Sequence, residues 1–303
     1  MKTFDYIRPV SVEEACAVLA GGEGTVKVLA GGTDLLVQMK QGRLQPKTLV
    51  SLRDIPGLSS VTMTTDGRLR LGAAATLAAV EDSTLVSEKF PAIAAAASGI
   101  GSVQVRGRAT VGGNLCNAAP SADMAPILIA HGAEAVIGDG RSERVILLED
   151  FFVGPGQTAL RPGELLTAVT VPPAPAGSFA IYKKASRSAM DIATVGVGAL
   201  LVFARVAPAA DAGSPVLLIV RDVRLVLGAV APTPIRARAA ERLLAGRRLA
   251  DDLIAEAGQV AAGEARPITD VRASAEYRTA LVEVLSRRAL AAARSWAEKG
   301  GLA

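Results

Sequence analysis

Two glycine-paired segments lie about eighty residues apart, Ala30-Gly31-Gly32-Thr33-Asp34 and Thr110-Val111-Gly112-Gly113-Asn114-Leu115-Cys116-Asn117. A Gly-Gly pair takes backbone torsions closed to other residues and leaves its N–H groups bare, which is how a loop wraps a phosphate. One such pair alone is most simply a tight turn. Here Thr33, Thr110, Asn114 and Ser121 set small hydrogen-bonding side chains beside the glycines, as anion recognition in a shallow loop requires. Taken together, the two segments predict a clasp around one pyrophosphate.

The elements that position the first segment can be read locally. Ser11-Val12-Glu13-Glu14 has the capping-box pattern and starts a short helix to about Leu19, stopped by Gly21-Gly22. Val26 to Ala30 reads as a buried strand, Asp34 to Gln41 as a short helix ended by Gly42, and Thr48 to Leu52 as a strand. The first glycine pair therefore sits between a strand and a helix N-terminus, where an anion is favoured. A dinucleotide-binding βαβ unit is excluded because Gly31-Gly32-Thr33 lacks the G-x-G-x-x-G spacing, and no Gly-Lys-Ser/Thr is placed to make a P-loop.

Further along, one short and one longer helix are expected between Thr76 and Ser98, and a helix from Asp123 to Ala130. Ala133 to Ile137 and Arg144 to Leu148 flank Gly138-Asp139-Gly140, a hairpin signal. Leu165 to Val171 is a strand closed by Pro172-Pro173-Ala174-Pro175, the best domain boundary in the chain. After it come long apolar strands near Phe179 to Lys184, Thr194 to Arg205 and Val216 to Val230. Helices near Ile235 to Ala245, Ala250 to Ala262 and Ser274 to Glu298 then follow. Strands followed by helices indicate an α+β domain.

Composition narrows the function. The chain has 303 residues, half of them hydrophobic and 3% aromatic, enough for two or three packed units with Ala, Val and Leu cores. Its 33 basic and 29 acidic residues are interspersed, so the net charge of +4 describes a solvated surface, and nucleic acid is not an expected partner. Two cysteines, Cys16 and Cys116, are too few for a disulfide scaffold, a four-thiolate zinc site or an all-cysteine iron–sulfur cluster, so no metal is assigned to this chain. His131, the single histidine, reads as a helix-end residue, and no His-dependent triad is assigned. Val216 to Val230 carries Arg221, Asp222 and Arg224, too short and charged to span a bilayer, and the cytoplasm is the expected location.

With these residues laid out, the chain resembles the FAD-binding middle subunit of the molybdenum hydroxylases, the family of xanthine and carbon monoxide dehydrogenases. The likeness rests on Phe4-x-Tyr6-x-x-Pro9, Ala30 to Leu35, Thr110 to Asn114, Pro120 to Asp123, Gly163-Glu164-Leu165-Leu166, and Tyr182 to Arg187 with Asp191-Ile192-Ala193. The resemblance implies an α+β fold: a two-subdomain FAD domain of the vanillyl alcohol oxidase (PCMH) type over residues 1–174, divided near 54, and a C-terminal sheet with a helical layer over 176–303. It implies FAD contacts from Leu29, Ala30, Gly31, Gly32, Thr33, Asp34 and Leu35, and from Thr110, Gly112, Gly113, Asn114, Cys116, Asn117, Ser121 and Asp123. Ile100 and Gly101 would lie beside the flavin, Leu166 near the adenine side and Lys183 near the flavin ring. By residue type alone, Cys116 packs as a small apolar group and Lys183-Lys184 is a solvated strand end.

The resemblance also implies partners: a large subunit carrying the molybdenum cofactor and a small one carrying [2Fe-2S] clusters, in a dimer of heterotrimers. Two departures from the family's xanthine dehydrogenases bear on the acceptor. Ile100 stands where some members place an aromatic residue against the flavin, and Ser188-Ala189-Met190 stands where those enzymes carry acidic residues. The expected role is electron transfer, with no protein acid or base required. Two other readings stay open at this point: a self-contained FAD oxidase or dehydrogenase, and a non-redox nucleotide-binding module.

Overall fold

In the computed structural model, which describes residues 2–22, 24–206 and 217–299, the chain begins with β1 (Asp5–Ile7), α1 (Val12–Ala20), β2 (Val26–Leu29), α2 (Leu35–Lys40) and β3 (Thr48–Ser51). Ser11 starts α1 by accepting the Glu14 N–H at 3.1 Å, and the Glu14 carboxylate takes the Val10 N–H at 2.9 Å. The three strands pair in parallel in the order β1-β3-β2. Val50, Ala15, Cys16, Ile55, Leu58 and Leu165 form a small core beneath them.

A five-stranded antiparallel sheet follows, in the order β4-β5-β10-β6-β7. Its strands are β4 (Val61–Met63), β5 (Leu69–Gly72), β6 (Glu134–Gly138), β7 (Glu143–Leu147) and, after the small hairpin β8 (Phe152–Gly154) and β9 (Gln157–Thr158), β10 (Leu165–Val171). Between β5 and β6 run six helices: α3 (Leu77–Glu81), α4 (Thr84–Lys89), α5 (Pro91–Ser98), α6 (Val103–Arg106), α7 (Val111–Cys116) and α8 (Met124–Ala130).

Three helices, not two, fill the stretch from Thr76 to Ser98. Thr76 and Ser83 each cap a helix by accepting an N–H, from Ala79 at 3.1 Å and Val86 at 3.4 Å, and Pro91 opens the third. The hairpin signal is met with a four-residue loop, Asp139 to Ser142, where Gly140 has φ +90° and Asp139 Oδ1 accepts the N–H groups of Arg141 and Ser142.

The C-terminal part is an antiparallel sheet, β11 (Ser178–Ala185), β12 (Val195–Val206), β13 (Leu217–Gly228) and β14 (Ile235–Arg236), with α9 (Arg238–Leu244), α10 (Asp251–Glu264) and α11 (Ala275–Glu298). Val216, where a strand was expected to begin, lies outside the described residues. On β12, Val195, Val197, Ala199, Leu201 and Phe203 face the helical layer. Leu200 and Val202 join the core of the five-stranded half. A strand covered on both faces has no polar alternation, which is why β12 reads as one apolar run.

The helix expected from Ile235 to Ala245 is shorter. Ile235 and Arg236 pair with Leu227 and Val226 as a strand. Buried Glu241 explains the break: its carboxylate accepts the Leu225 N–H at 2.9 Å and both arms of the Arg236 guanidinium at 2.9 and 2.8 Å. That ties α9 to the sheet one residue after the strand ends.

Candidate functional site

The first glycine segment lies against the chain just ahead of the second. A Cβ built on Gly31 would lie 2.0 Å from the Arg108 carbonyl oxygen and 2.9 Å from Ala109 Cα, so only glycine lets the first segment lie against the chain entering the second. At the next residue, Gly32 turns with φ +76°, a region that L side chains rarely adopt. Among the described residues, none of the N–H groups of Ala30, Gly31, Gly32, Thr33, Asp34 and Leu35 reaches a backbone acceptor. Six consecutive donors left this way at a half-buried turn fit the oxygens of a diphosphate.

The second segment is built differently from the bare loop expected of it. Gly112 and Gly113 lie in the first turn of α7, and their N–H groups are used within the chain. Val111 donates to the Ala75 carbonyl at 2.9 Å and Gly112 to Ala73 at 2.8 Å. Thr110 caps the helix, its Oγ1 accepting from Gly113 at 3.0 Å. Gly112 is glycine because α7 presses on the end of β5: a Cβ there would meet Ala73 O at 2.6 Å. This segment thus offers side chains and a closely packed wall, while the first segment offers the free donors.

Asn114 links α7 to α8, its Oδ1 accepting the Met124 N–H at 3.3 Å. Asp123, just ahead of α8 and 5% exposed, accepts the Tyr182 hydroxyl proton at 2.6 Å and lies 3.5 Å from Lys184 Nζ. Burial pushes the Asp123 carboxyl above the usual carboxylate range, against the pull of Lys184 and of the Tyr182 hydrogen bond. Burial and the neighbouring Asp123 push the Tyr182 hydroxyl well above the ordinary tyrosine value, so it remains a donor. Between α7 and α8, Ala118 holds φ +45° with its carbonyl taking the Gly156 N–H, a strained turn immediately beside Asn117.

The Gly99-Ile100-Gly101 turn is fastened from two sides. Lys184 Nζ donates to Gly99 O at 2.5 Å, and Arg106 Nη1 donates to Ile100 O at 3.3 Å and Gly101 O at 3.5 Å. Arg106 is itself fixed by Glu81 at 2.6 Å.

The pieces are thus linked in a chain: Gly31 lies against Arg108 and Ala109 just ahead of Thr110, Asn114 bonds the residue after Asp123, and Lys184 bridges Asp123 to Gly99 at the Ile100–Gly101 turn. Ser121 is half-buried two residues before Asp123. Leu166, 2% exposed, is sealed in the core of the five-stranded half, and Cys116 packs at the edge of that core. Its thiol is pushed up to about 12 by burial. Lys183 is exposed and lies on the other face of β11 from Tyr182 and Lys184.

Lys184, Tyr182 and Arg106 are the polar residues of this cluster that sequence reasoning missed. The available signal was period two: Tyr182 and Lys184, not Lys183, share a face with Ala180, which packs on the five-stranded half. A shallow cavity of about 620 Å³ beside α10 and α11, lined by Arg266, Pro267, Thr279 and Glu283 among others, contains none of these residues.

Comparison with known proteins places this geometry. Residues 2–174 match the family described as the FAD binding domain in molybdopterin dehydrogenase, and residues 180–293 match the CO dehydrogenase flavoprotein C-terminal domain. The xanthine dehydrogenase FAD-binding subunit of Escherichia coli O157:H7 is 33% identical, with 95% of each chain covered. The carbon monoxide dehydrogenase medium chain of Afipia carboxidovorans is also 33% identical, with 98% of each covered. The solved carbon monoxide dehydrogenase of Hydrogenophaga pseudoflava superposes with a TM-score of 0.89 at 32% identity, covering 97% of this chain and 98% of the other.

Proposed function

We propose that this chain, which belongs to the family of FAD-binding domains in molybdopterin dehydrogenases, is the electron-transfer subunit of a molybdenum-containing hydroxylase. It takes electrons from iron–sulfur clusters on a small partner subunit and passes them to an external acceptor. The observation that carries the cofactor assignment is the run of unpaired N–H groups from Ala30 to Leu35, set against Arg108 and Ala109.

In this reading the first segment holds the FAD diphosphate through its backbone. Thr110, Gly112, Gly113, Asn114, Asn117, Ser121 and Asp123 line the facing wall, Cys116 lies behind it, and Ile100–Gly101 borders the flavin side. Leu166, on the adenine side, and Lys183, near the flavin ring, are included on the family resemblance alone, since Leu166 is buried in the core and Lys183 lies on the outer face of β11. Bound FAD supplies the redox chemistry; the chain binds it, orients it and sets the charges around it. Residues 1–174 form the FAD-binding part and 176–303 the C-terminal domain.

A large subunit bearing the molybdenum cofactor would select the substrate, in a cytoplasmic dimer of heterotrimers. The equal identity to xanthine and carbon monoxide enzymes supports that division, because this chain follows neither substrate more than the other. Among the described residues, no helix is long and apolar enough to cross a membrane.

The test is the absorption spectrum of the tagged chain recovered from its native host with whatever co-purifies, before and after dithionite. Flavin bands over a broad bleachable iron–sulfur absorption are expected. Flavin alone would favour a self-contained flavoenzyme, and a colourless preparation would sink the FAD assignment.

A further inference from the structure

Lys184 belongs to the C-terminal sheet, yet both of its partners belong to the other half of the chain. Its ammonium donates to the Gly99 carbonyl at 2.5 Å and lies 3.5 Å from the Asp123 carboxylate. Its side chain is only 15% exposed and that of Asp123 7%, so this is a buried pair at the junction between the halves. Such a pair is sensitive to the loss of either member, because the survivor is left charged without a counter-ion.

The neighbouring strand makes room for this arrangement. Gly196 stands opposite Lys184 in the β11–β12 register, and a Cβ there would come 2.7 Å from the Tyr182 hydroxyl. Gly198, two residues on, lets the backbone of Pro126 in α8 lie directly on the sheet, since a Cβ would meet Pro126 O at 2.6 Å. Two glycines on one face of β12 thus bring the sheet close enough for Tyr182 and Lys184 to reach Asp123.

The carbonyls of Gly99, Ile100 and Gly101 are consecutive and all accept from cations. Arg106 holds the last two from within the same half, and among the described residues the first is held only by Lys184. Losing Lys184 would free one end of the turn that carries Ile100 and unbalance the charge at the start of α8.

We infer that Lys184 is a positioning residue of the flavin site, supplied by the C-terminal sheet to hold the Gly99-Ile100-Gly101 turn and Asp123 in fixed relation. The site is therefore complete only when the two halves are docked. This inference rests on the FAD assignment above and adds a residue that neither the family resemblance nor the sequence pattern assigned.

The experiment uses the full-length chain, stripped of flavin and titrated with FAD, in wild type, Lys184→Met, Lys184→Arg, Lys183→Met, Tyr182→Phe and the exposed α4 control Lys89→Met. Readouts are the FAD dissociation constant, the visible circular dichroism of bound flavin and its midpoint potential, with far-ultraviolet circular dichroism to check folding. Lys184→Met is expected to weaken FAD about tenfold or more and to change the flavin dichroism and potential, by loss of one half of a buried pair. Lys184→Arg should restore most of the affinity, and Lys89→Met should match wild type. Tyr182→Phe, which keeps every charge, should weaken FAD by a few-fold and remains decisive if Lys184→Met does not fold.

A Lys184→Met protein with wild-type affinity, dichroism and potential would overturn the inference. So would a loss confined to Lys183→Met, or a non-folding Lys184→Met accompanied by an unaltered Tyr182→Phe. Failure of the wild-type chain to bind FAD would instead overturn the functional assignment itself.

Discussion

The α-carbon of Gly31 faces the Arg108 carbonyl so closely that a methyl group on it would stand 2.0 Å from that oxygen. The first segment is thereby laid backbone to backbone against the chain entering the second, which sets the donors from Ala30 to Leu35 beside it.

Gly31→Ala should therefore separate the two segments. Because the obstructing atoms are backbone, no rotamer change relieves the clash. FAD affinity is expected to fall at least about tenfold, about 1.4 kcal/mol, measured by quenching of flavin fluorescence. Gly263→Ala, where a Cβ meets nothing within 4 Å in α10, should leave affinity unchanged and raise stability by up to about 1 kcal/mol. Equal FAD affinity in the two variants would show that the contact does not shape the site.

Gly198→Ala acts on the junction. The added methyl would press on the Pro126 carbonyl carbon and oxygen and on Ile127 N, all within 2.8 Å, so α8 must lift from β12. Overpacking of this kind costs about 1–3 kcal/mol. Thermal unfolding should show a lower midpoint, and a midpoint equal to wild type would mean that the junction yields freely.

His131 gives the protein an acid-sensitive stability. It is buried against Phe90, its ring nitrogens have no hydrogen-bond partner among the described residues, and burial, reinforced by Arg224, pushes its pKa down to about 4. An unfolded histidine titrates near 6.5. Between pH 6.5 and about 4 the unfolded chain binds the extra proton, so this stability is present above 6.5 and lost as pH falls through that window. The loss is on the order of 3 kcal/mol in total. His131 is the sole histidine, so His131→Leu should flatten the urea-unfolding profile between pH 6.5 and 5, above the range where carboxylates dominate. An unchanged slope would remove His131 as its source.

Both thiols should resist alkylation in the native state. Burial pushes Cys116 up to about 12, and burial with Asp139 and Glu164 pushes Cys16 up to about 11, so almost no thiolate is present at pH 8. Iodoacetamide is expected to label neither until denaturant is added, as read by intact mass. Rapid native labelling of Cys116 would mean that α7 opens readily.

Much of the fold could be read locally because its signals are local. Ser11 with Glu14 marks α1, the glycines around Asp139 mark a hairpin, and the apolar runs of β12 and β13 announce long strands. Other short elements, unlike β2 and β3, could not be read this way. β1, β4 and β5 have three or four residues each, too few for a period to show, and exist because a neighbouring strand offers hydrogen bonds. β14 and α9 divide at Ala237 through Glu241, whose partners Leu225 and Arg236 only the fold brings to it.

The order of residue types alone determined that two glycine segments flanked by small polar residues exist, that apolar patterning supports an α+β chain, and which family it joins. Tertiary structure decided which glycine segment keeps its donors free, since Ala73 and Ala75 take the N–H groups of Gly112 and Val111 while, among the described residues, no backbone carbonyl takes those of Gly31 and Gly32. It also decided that Lys184 and not Lys183 reaches Asp123. Adjacent residues of a strand point to opposite faces, and only the docking of β11 against α8 and the end of α5 selects which face is the inner one.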